Sequence, residues 1–280
     1  SDVYKRQIIF MGTPDFAVPI LSSIFNSQHR LLAIYTQNPK KSDRGQKINI
    51  SPVHYFAKEK KIDVRSPKDL NLEEKIFIQK LNPDIIVVAA YGKIIPPEFF
   101  EIKNTKFINI HASLLPKWRG AAPIQRSLME MDEETGISIM KIIPKLDAGP
   151  FMLQEKIKIE KNDNYNTLSA KLANLGSRLI IKSLDLIEKR NFKLIDQDES
   201  RATYAKKIDK KETKIEWNIP AKNLIAKING LSPYPGAWFN HKNSRIKILK
   251  AFEVDQTGEI GEILDDNLTI ACKEKAIQIL

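Results

Sequence analysis

Along the first two thirds of the chain, short apolar runs alternate with amphipathic stretches. QIIFMG (7–12), LLAIYTQ (31–37), DIIVVAA (84–90) and KFINIHA (106–112) are brief, rich in β-branched residues and bounded by polar positions. That is the pattern of strands buried on both faces. Between them the spacing predicts a helix opened by Pro14, a second from about Pro52 and a third after Pro123. Strand and helix taken in turn argue for an α/β fold, a mostly parallel sheet covered by helices on both faces. Ligands in such sheets sit beyond the carboxyl ends of the strands. Gly12, Tyr91 and His111 stand at such ends, so the loops that follow them are expected to converge.

The pattern changes after a long helix predicted over about 164–190. Residues 191–214 are polar, include KKIDKKETK and show no strong periodicity, which reads as a linker. Beyond it come a short helix near 220–229, the turn SPYPGAW and short strands at 245–251, 259–264, 267–272 and 275–280. This is the signature of a small β-rich domain, expected as a barrel. The predicted division is a catalytic domain over 8–190, a basic linker over 191–214 and a C-terminal domain over 215–280. SDVYKRQ at the start carries no secretory or lipidation pattern and reads as foreign to a chain that begins near Ile8. AIQIL at the other end stops inside a predicted strand, so the C-terminal domain is expected to be truncated.

Composition narrows the class. A chain of 280 residues with 42% hydrophobic content can build a packed core. No run approaches the roughly 18 apolar residues of a membrane span, so a cytoplasmic protein with no membrane partner is expected. Cys272 is the only cysteine and the four histidines are scattered, which excludes an internal disulfide and predicts no metal site. The net charge of +11 points to an anionic partner, with nucleic acid the first candidate, unless it is a general lysine bias dissolved over the surface. Two clusters locate it. QNPKKSDRGQKINISP (37–52) far exceeds the about 2–6 residues usual for a connection in an α/β unit. The second is Lys206, Lys207, Lys210, Lys211 and Lys214 in the polar segment.

FINIHASLLPKWRGAAPIQ (107–125) carries the candidate chemistry. Asn109 and His111 are two apart on a strand and face one way, and a loop fixed by Pro116, Gly120 and Pro123 follows at once. MKIIPKLDAGPFMLQ (140–154) breaks a strand pattern at Asp147-Ala148-Gly149. Turn propensity alone accounts for an Asp-x-Gly, and a lone histidine is an ordinary core residue. The strand end, the same-face amide and the fixed loop together point to a site. An amide donor beside an imidazole suits an oxyanion, and a carboxylate can orient the ring and accept protons through water. The set fits acyl transfer without a covalent enzyme intermediate. Ser113 as a nucleophile lacks a G-x-S-x-G elbow. GTPDFAVP lacks G-x-G-x-x-G spacing, so Gly12 and Pro14 read as structural.

FMGTPDFAVPIL, AAYGKIIP, NIHASLLPKWRGAAPIQ, TGISIMKIIPKLDAGP and WNIPAKNLIAKINGLSPYPGAWF together resemble the methionyl-tRNA formyltransferases, from about residue 8 to the end. The resemblance implies a Rossmann-like formyltransferase domain, a linker and a C-terminal barrel similar to an OB fold. It implies transfer of a formyl group from 10-formyltetrahydrofolate to the α-amine of initiator methionyl-tRNA by a monomer that needs no metal. Asn109, His111 and Asp147 match the family's catalytic positions: Asn109 and a protonated His111 would hold the oxyanion, and Asp147 would help move the amine proton. Ser113, Leu114, Leu115 and Pro116 would line the folate site, with the backbone of Ala89, Ala90, Tyr91 and Gly92 at the pterin edge. Lys40, Lys41, Arg44 and Lys47 fall in the family's tRNA-entering loop, where this chain has KSDRG in place of PAGRG; Lys206, Lys207 and Lys210 would add phosphate contacts. Rival readings keep the folate chemistry but change the acceptor, as in a sugar-nucleotide amine formyltransferase or a formyltetrahydrofolate hydrolase or dehydrogenase module. A non-catalytic RNA-binding protein on the same scaffold would not need Asn109, His111 and Asp147.

Overall fold

The computed structural model describes residues 5–41 and 48–280. In chain order the elements are β1 (Gln7–Gly12), α1 (Ala17–Phe25), β2 (Arg30–Tyr35), β3 (Lys40–Lys41), β4 (Ile48–Asn49), α2 (Pro52–Glu59), β5 (Val64–Arg65), α3 (Leu72–Leu81), β6 (Ile85–Ala89), β7 (Lys106–His111), β8 (Arg119–Gly120), α4 (Pro123–Met129), β9 (Glu134–Lys141), β10 (Phe151–Lys158), α5 (Tyr165–Glu188), β11 (Tyr204–Ala205), α6 (Ala221–Leu231), β12 (Ala237–His241), β13 (Ser244–Ile248), β14 (Ala251–Val254), β15 (Thr269–Ala271) and β16 (Ala276–Ile279). No helix among the described residues is long and apolar enough to cross a membrane. The chain divides into two units: Ser1–Arg119 with Gly136–Glu155 and Lys171–Ala202, and Gly120–Thr135 with Lys156–Ala170 and Thr203–Leu280. The polar stretch read as a linker is thus shared between them, residues 191–202 belonging to the first and 203–214 to the second.

The first unit is built on a sheet ordered β10-β9-β7-β6-β1-β2-β5. β1 is parallel to β2 and β6, β2 to β5 and β6 to β7, whereas β7 and β9 are antiparallel. Numbered along the chain, its five parallel strands run 3-2-1-4-5, so the winding reverses between β1 and β6. In a doubly wound sheet that reversal opens a crevice at the carboxyl ends. Ile8, Ile9, Phe10 and Met11 are all 0% exposed, which shows β1 covered on both faces and explains its unbroken apolar run. One face packs Ile9, Met11, Ala33, Tyr35, Ile86 and Val88 against Ile78 of α3 and Phe99. Helix starts follow local chemistry. The Ser51 side chain accepts from the His54 N–H before Pro52 opens α2, and Asn71 accepts from the Glu74 N–H at the start of α3. Gly12 is needed for space: a Cβ there would lie 2.6 Å from the Phe10 ring and 2.9 Å from the Ala89 carbonyl oxygen.

In the second unit α4 and α6 pack closely, with Gly230 against Met129 and the Gln125 carbonyl. A hairpin of β12 and β13 and a three-stranded sheet ordered β14-β16-β15 supply the β content. The predicted strand over 259–264 reduces to a bridge between Ile263 and Ile270, because turns with hydrogen bonds such as Glu262 N–H to Glu259 carbonyl occupy that stretch. Leu224, Ile228 and Leu231 of α6 form a core with Ala237, Ile248, Ala251, Cys272 and Ile277. Burial pushes the Cys272 thiol up to about 11, so it packs as a neutral apolar group.

Leu224 is 0% exposed at the centre of that core. Leu224→Ala is expected to destabilise the second unit by about 2–5 kcal/mol, read as an earlier urea transition in tryptophan fluorescence.

Candidate active site

β7 ends at the site. Its parallel pairing sets Asn109 beside Val88 of β6, and its antiparallel pairing sets His111 beside Ser138 of β9. His111 is buried, 5% exposed, while Asn109 is half-buried. The Asn109 carboxamide makes no side-chain hydrogen bond among the described residues, so its N–H groups are available to a ligand. His111 is engaged at both nitrogens. Nε2 lies 2.8 Å from the Trp118 carbonyl oxygen. A carbonyl can only accept, so Nε2 carries a proton. Nδ1 faces Asp147 Oδ2 at 3.7 Å, too long for a hydrogen bond and short enough for an ion pair with a protonated ring. The resemblance gave a protonated His111 a share in holding the oxyanion; in this arrangement Nε2–H is directed at the Trp118 carbonyl, and Nδ1 is the nitrogen that meets the carboxylate.

The Asp147 turn is forced by its neighbours. A Cβ at Gly149 would sit 1.8 Å from the Lys141 carbonyl oxygen, where the Lys141 N–H also donates to the Pro150 carbonyl at 2.9 Å. Close backbone approach, rather than generic turn preference, therefore demands the glycine of Asp-Ala-Gly. Asp147 adopts φ 45°, in the left-handed region. Gln197 holds the turn: its Nε2 donates to the Asp147 carbonyl at 2.8 Å and to the Gly149 carbonyl at 2.7 Å. Its Oε1 accepts from Arg119 Nε and Nη2 at 3.0 and 2.8 Å. Arg119, 0% exposed, also donates to both Glu199 oxygens at 3.0 and 2.9 Å. The Arg119 hydrogen bonds, then the one from Lys145, pull the Glu199 carboxyl down to about 2. None of these partners stood out in the sequence. Arg119 lay inside a motif read for its proline and histidine, and Gln197 and Glu199 lay in a stretch whose polarity resembled a linker.

The loop Ser113–Pro116 is shaped by its own bonds. The Ser113 hydroxyl donates to the Lys117 carbonyl and its carbonyl accepts from Ser138 Oγ at 2.6 Å. The Leu115 N–H donates to Ser138 Oγ at 3.1 Å, and Gln154 Nε2 donates to the Leu115 carbonyl at 2.8 Å. Ser113 and Leu115 are buried, while Leu114 and Pro116 differ: Leu114 is half-exposed and Pro116 is too. At the end of β6, Ala89 and Tyr91 are buried, whereas Ala90 (φ 48°) and Gly92 (φ 77°) are exposed in left-handed conformations. The Tyr91 carbonyl already accepts from Thr13 Oγ1 at 2.8 Å and Gln37 Nε2 at 3.1 Å.

Of the basic residues, Lys40 and Lys41 lie in β3, whose pairing with β4 forms the base of the long connection. Arg44 and Lys47 lie outside the described residues. In the second unit Lys206, Lys207 and Lys210 are exposed. Their segment is fixed: Arg126 donates to the Lys206 carbonyl at 3.1 and 3.0 Å and pairs with Glu212 at 2.9 Å.

Residues 5–184 match the model of the formyl transferase family, and residues 207–280 match that of its C-terminal domain. The chain belongs to the formyl transferase family. It is 51% identical to the methionyl-tRNA formyltransferase of Pelagibacter ubique and 41% identical to that of Parvibaculum lavamentivorans, each time over 98% of this chain and 90% of the relative. Among solved structures, an N-formyltransferase from Helicobacter canadensis in complex with folinic acid and dTDP-3-aminofucose shares the fold, with a TM-score of 0.72 at 19% identity over 98% of both chains. HypX from Aquifex aeolicus in complex with tetrahydrofolic acid superposes with a TM-score of 0.70 at 15% identity, over 98% of this chain and 43% of that one.

Gly149→Ala is expected to displace the Asp147 turn, lowering both thermal stability and formyl transfer; unchanged values for both would show that the backbone approach can relax. The pH dependence of Glu199 has a definite sign. Its folded-state value is depressed from 4.5 to about 2, so its contribution is full above about pH 4.5 and is lost as pH falls through about 2. Urea midpoints of the wild type and Glu199→Gln are expected to differ by a constant amount from pH 5 to 7 and to converge below about pH 4.5.

Proposed function

We propose that this chain transfers the formyl group of 10-formyltetrahydrofolate to the α-amine of initiator methionyl-tRNA. The observation that carries it is the His111–Asp147 pair beside the unengaged Asn109 carboxamide, in a chain whose likeness to methionyl-tRNA formyltransferases runs through both units. The donor supplies an activated formyl carbon on a nitrogen leaving group. Asn109 donates to the formyl oxygen as negative charge gathers there, in a half-buried setting where a fixed donor acts strongly. The Asp147 carboxylate, with His111 Nδ1, receives the proton released by the attacking amine and returns it to the departing nitrogen. Trp118 keeps the imidazole from turning by accepting from Nε2–H.

The residues present fit a folate. Ala90 and Gly92 are exposed at the reversal of the sheet winding, where backbone groups can meet the pterin edge. Leu114 and Pro116 border it, while the buried Ser113, Leu115, Ala89 and Tyr91 set the shape of the wall. The acceptor tRNA is met by Lys40, Lys41, Arg44 and Lys47 of the long connection and by Lys206, Lys207 and Lys210. Such contacts give affinity without sequence information, so the initiator is selected by the shape of its acceptor end. The reading takes the enzyme to act in the cytoplasm as a monomer, on one donor and one tRNA, without a metal.

The test is incubation with 10-formyltetrahydrofolate and either methionyl-initiator tRNA or a dTDP-amino sugar, with N-formylmethionine and formyl sugar quantified. Formyl sugar alone would transfer the assignment to the sugar-amine acceptors. His111→Ala is expected to lower formyl transfer by at least about 100-fold while tRNA affinity stays within about twofold. Loss of both together would remove the assigned role. Changing Lys206, Lys207 and Lys210 to Glu is expected to weaken tRNA binding and flatten its dependence on log salt by about 0.7–0.9 per lost phosphate contact.

A further inference from the structure

His111 is approached by two loops that both use backbone conformations L-residues avoid. Trp118, whose carbonyl receives Nε2–H, has φ 60°, and Asp147, whose carboxylate faces Nδ1, has φ 45°. Such residues persist only where the surroundings over-determine them. The two loops are tied to each other. Arg119, peptide-bonded to Trp118, sends Nε and Nη2 to Gln197 Oε1, and Gln197 Nε2 donates to the carbonyls of Asp147 and Gly149. We propose that Arg119 and Gln197 are positioning residues for formyl transfer, a hydrogen-bonded strut that holds the Trp118 carbonyl and the Asp147 carboxylate at a fixed separation across His111. The proposal rests on the reading in which His111 and Asp147 perform the transfer.

The chemistry of the glutamine supports a strut over simple filling. Its oxygen accepts two guanidinium N–H groups and its nitrogen donates to two carbonyls, so its full bonding capacity is used. Turning the amide over would set donor against donor and oxygen against oxygen, which leaves one orientation. An arginine needing only a counter-charge has one in Glu199, on which it already closes a two-pronged pair. The neutral glutamine adds nothing to charge balance. It adds a link to the backbone of the Asp147 turn. Lys145 Nζ, 2.8 Å from Glu199 Oε2, closes the outer end of the network from the same segment that leads into that turn.

The experiment compares the wild type, Gln197→Met, which keeps length and loses all four hydrogen bonds, and Gln197→Glu, which keeps an acceptor for Arg119 and loses both donors to the turn. In both variants kcat is expected to fall about 10- to 100-fold, the scale of a small misplacement of reacting groups, with KM for the donor and for methionyl-tRNA within about twofold. The ¹⁵N signals of His111 are expected to move from a single Nε2–H tautomer to a mixture, and the pH profile of kcat to change shape. Wild-type kcat in Gln197→Glu would overturn the proposal, since pairing with Arg119 would then suffice. So would a loss of kcat that merely tracks the folded fraction measured by circular dichroism. His111→Ala in the same assay separates the two levels: full formyl transfer by that variant would remove the reading on which the strut rests, whatever Gln197 does.

Discussion

A guanidinium cannot be buried without acceptors, and Arg119 is buried to 0% exposure. Its solvation must be replaced by protein oxygens in the plane of the fork, and Gln197 and Glu199 supply them. Meeting that demand draws residues 197–199 against the loop after β7, and the amide that serves the cation holds the Asp147 turn with its other end. The local conformations follow. Trp118 and Asp147 can both stay left-handed because the chain on the far side of each is pinned. A requirement of solvation at one side chain thereby becomes geometry around His111.

The sheet provides the frame for this constraint. Parallel strands in the order 3-2-1-4-5 bring the ends of β1, β6 and β7 side by side, so Gly12, Ala90 and Asn109 belong to one edge although they are far apart in sequence. Reversing direction at β9 returns the chain beside β7, with Ser138 opposite His111. Ser138 Oγ accepts from the Leu115 N–H and donates to the Ser113 carbonyl, which shapes the loop that leaves the strand. The Asn109 carboxamide, by contrast, makes no side-chain hydrogen bond among the described residues. An open donor beside a fully engaged histidine is the asymmetry that a reaction gathering charge on one oxygen requires.

The second unit shows how far a pattern of hydrophobic positions reaches. Residues 220–229 were legible as a helix because Leu224, Ile225 and Ile228 recur at helical spacing, and the observed α6 buries Leu224 and Ile228. Of the hairpin, β13 overlapped the predicted strand at 245–251 while β12 was hidden behind the turn signals of SPYPGAW, and the predicted strand at 259–264 shrank to one bridge among turns. Short strands in a small unit are decided by pairing partners, which single-sequence periodicity does not contain. The bonds made within the polar stretch 191–214 were not legible for a related reason. Its lysines and aspartates signalled solvent, while Gln197, half-buried among backbone carbonyls, carried no signal that set it apart.

Sequence alone therefore determined the α/β alternation, the strand ends at which a site could form, and the residue types for oxyanion and proton chemistry, because periodicity and side-chain chemistry are local properties. Family resemblance added the acceptor and donor, and comparison with known proteins placed the chain in the formyl transferase family. Only the tertiary structure decided which nitrogen of His111 faces Asp147, why Gly149 is obligatory and that Arg119 and Gln197 join the two loops. The first and last depend on atoms brought together across 36 and 78 positions and the second on a backbone approach that the turn itself does not specify, and the satisfaction of buried donors and acceptors is settled only when every partner is in place.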